Sequence, residues 1–238
     1  SDVNLYISDT YNHRIQKWAP GATEGVTVAG GNGQGSAANQ FHYSTGIALD
    51  ASGNMYIADL GNHRIQKWAP GATEGTTVAG LNGYGSAANQ LVYPNRITLD
   101  ASGNLYISDS YNNRIQKWAP GATEGVTVAG GNGEGSASNQ LDYPRGIKLD
   151  SLGKMYIADR GDHRIQKWAL GQWDTDGDGI GDACDPSNID TDNDGVTDDV
   201  DECPSTPTGE AVDAAGCSDS QKDTDNDGVT DDVDECPS

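Results

Sequence analysis

The aspartates in the last third of the chain are spaced as well as abundant. Asp174, Asp176, Asp178, Asp182 and Asp185 fall at positions 1, 3, 5, 9 and 12 of a loop with Gly179 at position 6. Asp190, Asp192, Asp194, Asp198 and Asp201 repeat the pattern around Gly195, and Asp223, Asp225, Asp227, Asp231 and Asp234 repeat it around Gly228. Hard cations take six to eight oxygens at about 2.3–2.6 Å, which alternating carboxylates and one backbone carbonyl can supply. Ile180, Val196 and Val229 hold position 7, where an apolar side chain turns inward and its carbonyl faces the ion. The glycine at position 6 permits the sharp bend before it. The expected cofactor is Ca²⁺, one ion per loop and at least three in all. An EF-hand needs flanking helices and normally a bidentate Glu at position 12. Only residues 186–189 separate the first two loops, and position 12 is Asp each time, so the EF-hand reading falls.

These loops belong to a segment unlike the rest of the chain. The formal net charge of −22 is almost all carried by residues 173–238, which hold 22 acids against one Lys, while residues 1–172 hold 13 basic and 14 acidic residues. No basic surplus exists to neutralise phosphates, so nucleic acid is excluded as a partner. No run approaches the ~20 apolar residues of a transmembrane helix. The chain opens at Ser1 without a signal peptide, the start expected of a processed or excised piece.

The first segment must be positioned by something other than metal, and its sequence shows what. The run at Leu5, Tyr6, Ile7 returns at Met55, Leu105 and Met155, and the run at 14–18 returns unchanged at 64–68, 114–118 and 164–168. Each fifty-residue period holds four short runs with apolar residues two apart, bounded by Gly, Asn, Asp and Pro. That alternation predicts strands, and four strands per unit of this length predict a β-propeller blade. The first copy lacks the strand typified by residues 46–50 and the last lacks that typified by 26–30, leaving 14 strands, or about three and a half blades.

Residues 56–67, with the strand at 46–50 and the Ala-Ser-Gly-Asn turn before them, resemble the NHL repeat. The resemblance covers residues 1–172 and implies an NHL-type propeller, a family that usually closes with about six blades. The fold expected is therefore all-β: a partial or open NHL-type β-propeller over residues 1–172, and an irregular calcium-stabilised repeat tail over 173–238. Some relatives of this kind are lyases that use a metal held by His. His13, His63 and His163 share one position here, but Asn113 fills it in the third copy, so a turn-stabilising role is expected. Asp9, Asp59, Asp109 and Asp159 recur with Arg14, Arg64, Arg114 and Arg164 as a framework. Catalysis needs one asymmetric constellation, so the segment is expected not to be an enzyme. Variation is confined to loop positions such as Thr10/Leu60/Ser110/Arg160, His42/Val92/Asp142 and Gln34/Tyr84/Glu134, where binding specificity resides if anywhere.

Residues 173–238 resemble thrombospondin type-3 repeats, with the stretch from Asp201 to Cys217 similar to the variant in bacterial cell-surface proteins. Cys203–Cys217 fits that variant; Cys184–Cys203 with Cys217–Cys236 fits thrombospondin better. The first is favoured, and either implies an oxidising compartment. The function expected is an extracellular or cell-surface structural or adhesion protein, forming a homo-oligomer or filament through open blade edges. Two chains closing head to tail would supply 28 strands, the equivalent of seven blades. The alternative is a secreted module that captures a peptide or glycan, and a metal-dependent lyase is the third.

Overall fold

In a computed structural model, the described residues are 3–151, 153–169, 196, 203, 205–207, 211–213, 217, 218 and 220–222. Two compact units divide the chain, residues 1–170 and 171–238.

Among the described residues the first unit contains 14 strands in four antiparallel sheets. The first sheet holds β1 (Leu5–Asp9), β2 (Arg14–Trp18) and β3 (Val26–Gly30). The second holds β4 (Ser44–Leu49), β5 (Met55–Asp59), β6 (Arg64–Trp68) and β7 (Thr76–Ala79). The third holds β8 (Pro94–Leu99), β9 (Leu105–Asp109), β10 (Arg114–Trp118) and β11 (Val126–Gly130). The fourth holds β12 (Pro144–Leu149), β13 (Lys154–Asp159) and β14 (Arg164–Ala169). Sheet order follows chain order, so β1 is the edge of the first sheet and β14 the edge of the last. The sheets form an open NHL-type propeller arc, with no sheet closing on itself among the described residues.

Alternation fixes which residues meet between sheets, because neighbours along a strand point to opposite faces. Tyr6 and Ile15 of the first sheet pack with Phe41, Met55, Ile57 and Trp68. One period on, Tyr56 and Ile65 pack with Leu91, Leu105, Ile107 and Trp118, and then Tyr106 and Ile115 pack with Leu141, Met155 and Ile157. Each fully buried Ile or Leu contributes ~1.5–3 kcal/mol by leaving water. Phe41, Leu91 and Leu141 sit in the connections between sheets, each held by a parallel bridge to Gln34, Tyr84 or Glu134. Buried tryptophans keep a polar partner: Trp68 and Trp118 donate their indole N–H to Gln66 and Gln116, both at 2.8 Å.

The two ends of the arc are different. Leu5 is 62% and Ile7 45% exposed, whereas their equivalents Met55, Ile57, Leu105 and Ile107 are buried by the preceding sheet. Ile165 is 67% exposed, whereas Ile15, Ile65 and Ile115 are fully buried by the following sheet. Short 3₁₀ turns at Thr10–Asn12, Leu60–Asn62 and Ser110–Asn112 join the second and third strands of the repeat, helical structure that three residues are too few to signal by periodicity.

In the second unit Cys203 and Cys217 form a disulfide with Cα atoms 5.1 Å apart. A bridge between Val212 and Ser218 lies beside it. Thr206 is buried and donates to Gln221 Oε1 at 2.8 Å, and Ser218 N–H donates to the same oxygen at 3.1 Å. Of the expected calcium-ligand positions, Val196 lies among the described residues. Asp174, Asp176, Asp178, Ile180, Asp182, Asp185, Asp190, Asp192, Asp194, Asp198, Asp201, Asp223, Asp225, Asp227, Val229, Asp231 and Asp234 lie outside them, as do Cys184 and Cys236. The donor set itself, carboxylates at alternate positions with one main-chain carbonyl, is the all-oxygen chemistry that Ca²⁺ requires.

Candidate functional site

The repeated Asp–Arg pair is built into the turn between the second and third strands of each blade. Asp59 Oδ2 accepts from Arg64 Nε at 2.8 Å and Asn62 Nδ2 at 2.9 Å, while Oδ1 accepts from the His42 N–H at 2.7 Å. Arg64 then donates onward to the Ala37 carbonyl at 3.0 Å. Asp109 and Arg114 repeat this, with Val92 N–H and the Ala87 carbonyl as partners. The carboxylates of Asp59 and Asp109 are fully buried, and burial pushes both up despite these donors. Asp9, a quarter exposed, is held below the usual carboxylate range by hydrogen bonds from Arg14 and then Asn12. The pair is a clamp between a turn and the connection leading into it.

The shared His position has a different task. His13, His63, Asn113 and His163 all take left-handed backbone, with φ between 53° and 56°. His13 Nδ1 accepts the Tyr43 N–H at 3.2 Å and His63 Nδ1 accepts the Tyr93 N–H at 3.2 Å. Asn113 Oδ1 accepts the Tyr143 N–H at 2.9 Å. Any acceptor of the right reach serves, which is why Asn stands in for His. The tyrosines need the help: Tyr43, Tyr93 and Tyr143 have φ of 59°, 51° and 53°, a region costly for a side chain with a Cβ. Burial lowers His63, the neighbouring His42 lowers it further, and Asp59 opposes both.

Around these turns the framework gives way to an asymmetric surface. Tyr11 is 83% exposed and packs edge-on against Tyr43 at 5.7 Å; Tyr93, Tyr111 and Tyr143 follow in series with centroids 4.7 Å apart. The guanidinium groups of Arg145 and Arg160 each lie 5.3 Å from the Tyr143 ring. A cavity of about 880 Å³ opens beside them, lined by Tyr6, Ile7, Tyr11, Tyr43, Arg96 and Arg145 among others. The four framework arginines are each ion-paired to an aspartate at 2.8 Å. Arg96, Arg145 and Arg160 make no ion pair among the described residues. All three stand where other copies have Gly, Thr, Asn, Leu or Ser.

The variable loop positions divide accordingly. Thr10 and Leu60 line the cavity and Arg160 lies over Tyr143, but Ser110 is buried and donates to the Pro144 carbonyl at 2.7 Å. His42 stacks on Tyr43 at 4.7 Å, Val92 is buried, and Tyr84 meets His63 edge-on at 5.1 Å. Sequence reasoning overlooked Arg96 and Arg145 as site residues. The available signal was a charged residue at a position where the other copies are small or neutral.

The family model for the NHL repeat matches residues 41–68, 91–118 and 141–168. That for the thrombospondin type 3 repeat matches residues 173–210 and 213–238. No curated protein sequence matches the chain. Among solved structures, a gluconolactonase from Xanthomonas campestris has a TM-score of 0.55 at 16% identity, over 70% of this chain and 54% of its own. An auxiliary nutrient binding protein from Bacteroides thetaiotaomicron has a TM-score of 0.54 at 19% identity, over 69% and 44%. A chain of a nidogen/laminin complex has a TM-score of 0.52 at 20% identity, over 71% and 58%. This chain therefore spans about half the length of the structures it matches, and the likeness is one of fold. The expectation that the propeller is not an enzyme is corrected by the first of these. A gluconolactonase is built on the same fold, so a repeated framework gives no ground for excluding catalysis. The chain carries NHL repeats followed by thrombospondin type 3 repeats and is a calcium-associated propeller protein.

Proposed function

We propose that this is an extracellular, calcium-stabilised structural or adhesion protein that self-associates on a cell surface. The observation that carries the reading is the pair of uncovered sheet faces at the ends of the arc. Tyr156 and Ile165 at one end, and Leu5, Ile7 and Trp18 at the other, are the same two halves that pack together three times inside the chain. A second copy is the occupant that offers the same strand residues to both faces, though without the connection residue Phe41, Leu91 or Leu141 that completes each internal core, giving a head-to-tail contact that closes into a ring or runs on as a filament. Two arcs contribute eight sheets, because each arc keeps four separate ones. The disulfide supports an oxidising compartment, and no helix among the described residues is long and apolar enough to cross a membrane. Sedimentation in millimolar calcium tests the reading: mass is expected to rise with concentration, and to fall to the monomer in Ile165→Asp. A concentration-independent monomer of residues 1–238 sinks it.

A second reading, a secreted module that captures a peptide or glycan, is favoured by the three arginines that make no ion pair among the described residues on the tyrosine-lined face. Polyglutamate and polygalacturonate are the probes. Binding of either is expected to weaken with salt and to be lost in the double variant Arg96→Ala, Arg145→Ala; retention in that variant removes the reading.

A further inference from the structure

We propose that a stripe of aromatic rings across the middle sheets, ending at the guanidinium groups of Arg145 and Arg160, is a binding track for a linear glycan with a uronate at the arginine end. The proposal rests on the second reading above and names its ligand, and it does not depend on self-association.

Five rings follow one another without a gap. Tyr84 meets His63 with centroids 5.1 Å apart; His63 meets Tyr93, Tyr93 meets Tyr111 and Tyr111 meets Tyr143, each at 4.7 Å. The contacts are edge-on or tilted, so no ring hides the whole face of its neighbour. Tyr84 is 67% and Tyr111 55% exposed. His63 and Tyr111 sit in turns of the second and third sheets, which pack against a sheet on either side, and Tyr84 lies in the connection between those two. Their exposure therefore does not come from the ends of the arc. The stripe is particular to the middle of the array: Tyr84 stands where other copies have Gln34 and Glu134, and Tyr111 where two others have Gly61 and Gly161. Tyr93 and Tyr143 hold their rings on backbone with φ of 51° and 53°, which Gly or Asn adopts at less cost. Strain of this kind gathers at ligand-binding sites.

What the stripe offers names the ligand. Its main-chain N–H groups are already used: His63 donates to the Leu60 carbonyl, Tyr93 to His63 Nδ1, Tyr111 to the Val92 carbonyl and Tyr143 to Asn113 Oδ1. An extended peptide read through its backbone finds no donor on these four residues. A sugar needs none, because its C–H face lies on an aromatic face while its hydroxyls meet the phenol groups. At the Tyr143 end, Arg145 and Arg160 each lie 5.3 Å from the ring and make no ion pair among the described residues. Asp142 turns to fill the space that a Cβ on Gly161 would take, and pairs with neither arginine. A guanidinium fork selects a carboxylate, which it binds through paired hydrogen bonds. The Tyr111 phenol stays neutral beside this group, because its hydrogen bond with Tyr143 pushes its pKa up.

The test titrates the full chain, in calcium, with trigalacturonate and with its methyl ester, an uncharged sugar of similar shape. Trigalacturonate is expected to bind one-to-one with amide shifts at Tyr84, Tyr93 and Tyr111. The ester is expected to bind about tenfold more weakly, the scale of one lost charged hydrogen bond, and in Arg145→Ala acid and ester should bind alike. Tyr84→Ala and Tyr111→Ala should each keep the wild-type Tm and weaken trigalacturonate about fivefold, the scale of one aromatic contact. Tyr11→Ala, at the equivalent position off the stripe, should leave the affinity unchanged. Absence of binding at millimolar trigalacturonate, equal affinity for acid and ester, or full affinity in the double variant Tyr84→Ala, Tyr111→Ala overturns the proposal. Polyglutamate binding that depends on Arg145 while trigalacturonate does not bind also overturns it, and leaves the broader binding-module reading in place. Failure of both probes removes that reading as well.

Discussion

At the scale of single residues, two positions that look alike in every repeat carry different weights. His63 must stay unprotonated at Nδ1 to accept the Tyr93 N–H, and burial already lowers its pKa from 6.5. The folded chain therefore binds fewer protons here than the unfolded one. The contribution is complete above about pH 6.5 and is lost as pH falls through the unfolded value towards the folded one. His63→Asn, copying Asn113, is expected to keep the fold and flatten the dependence of Tm between pH 7.5 and 5.5. Persistence of the full wild-type slope would show that the proton goes elsewhere. The Asp–Arg pairs differ by burial. Asp109→Ala strands a guanidinium that is 10% exposed, at a cost of about 3–5 kcal/mol. Asp9→Ala acts on a pair exposed by 26% and 34% and should cost under about 1 kcal/mol. Urea unfolding of the two variants measures the difference, and equal losses would count against burial as its cause.

At the scale of strands and sheets, the amino-acid pattern was readable where physics is local. Period-two alternation in residues 5–9 or 55–59 is visible without coordinates, and so is the absence of one strand at each end. The link from His63 to Tyr93 was not readable, because it joins two sheets across 30 residues and depends on both backbones being left-handed. The contact of Arg145 was likewise hidden: only the packing shows that its guanidinium lies over the Tyr143 ring. The sheet faces allow a direct contrast. Ile115→Asp places a charge in a fully buried contact and is expected to prevent cooperative unfolding of the first unit as seen by near-UV circular dichroism. Ile165→Asp changes a residue that is 67% exposed and should leave the spectrum and the midpoint within experimental error in dilute solution. Unfolding by both would mean that the end face is covered within the monomer.

For the whole molecule, the two units draw stability from different sources. The propeller arc rests on apolar contacts between sheets, while residues 173–238 carry a net charge of −21 and few apolar side chains. For such a chain, metal-binding free energy is folding free energy. Native mass spectrometry in calcium is expected to show at least three ions, falling by one in Asp194→Ala, with the propeller spectrum unchanged; an unchanged count would remove Asp194 from the ligand set. Here the expectation rests on spacing alone, since oxygen donors at alternate positions form a pattern without reference to any distant partner. The pairing of cysteines is of the opposite kind. Four of them allow three connectivities, and only the approach of Cys203 to Cys217 distinguishes one.

The hydrogen bond that runs from each tyrosine N–H back to the turn one sheet earlier has a direction. The acceptor always belongs to the earlier sheet and the donor to the later one. Neighbours alone are coupled, so the arc behaves as a linear array in which stability accumulates by addition. Such an array frays from its two termini inwards, and its middle opens last. Duplicating one internal fifty-residue period would add a full unit of interface without disturbing any existing one. A longer array of these repeats would then resist heat and proteolysis in proportion to its number of internal contacts.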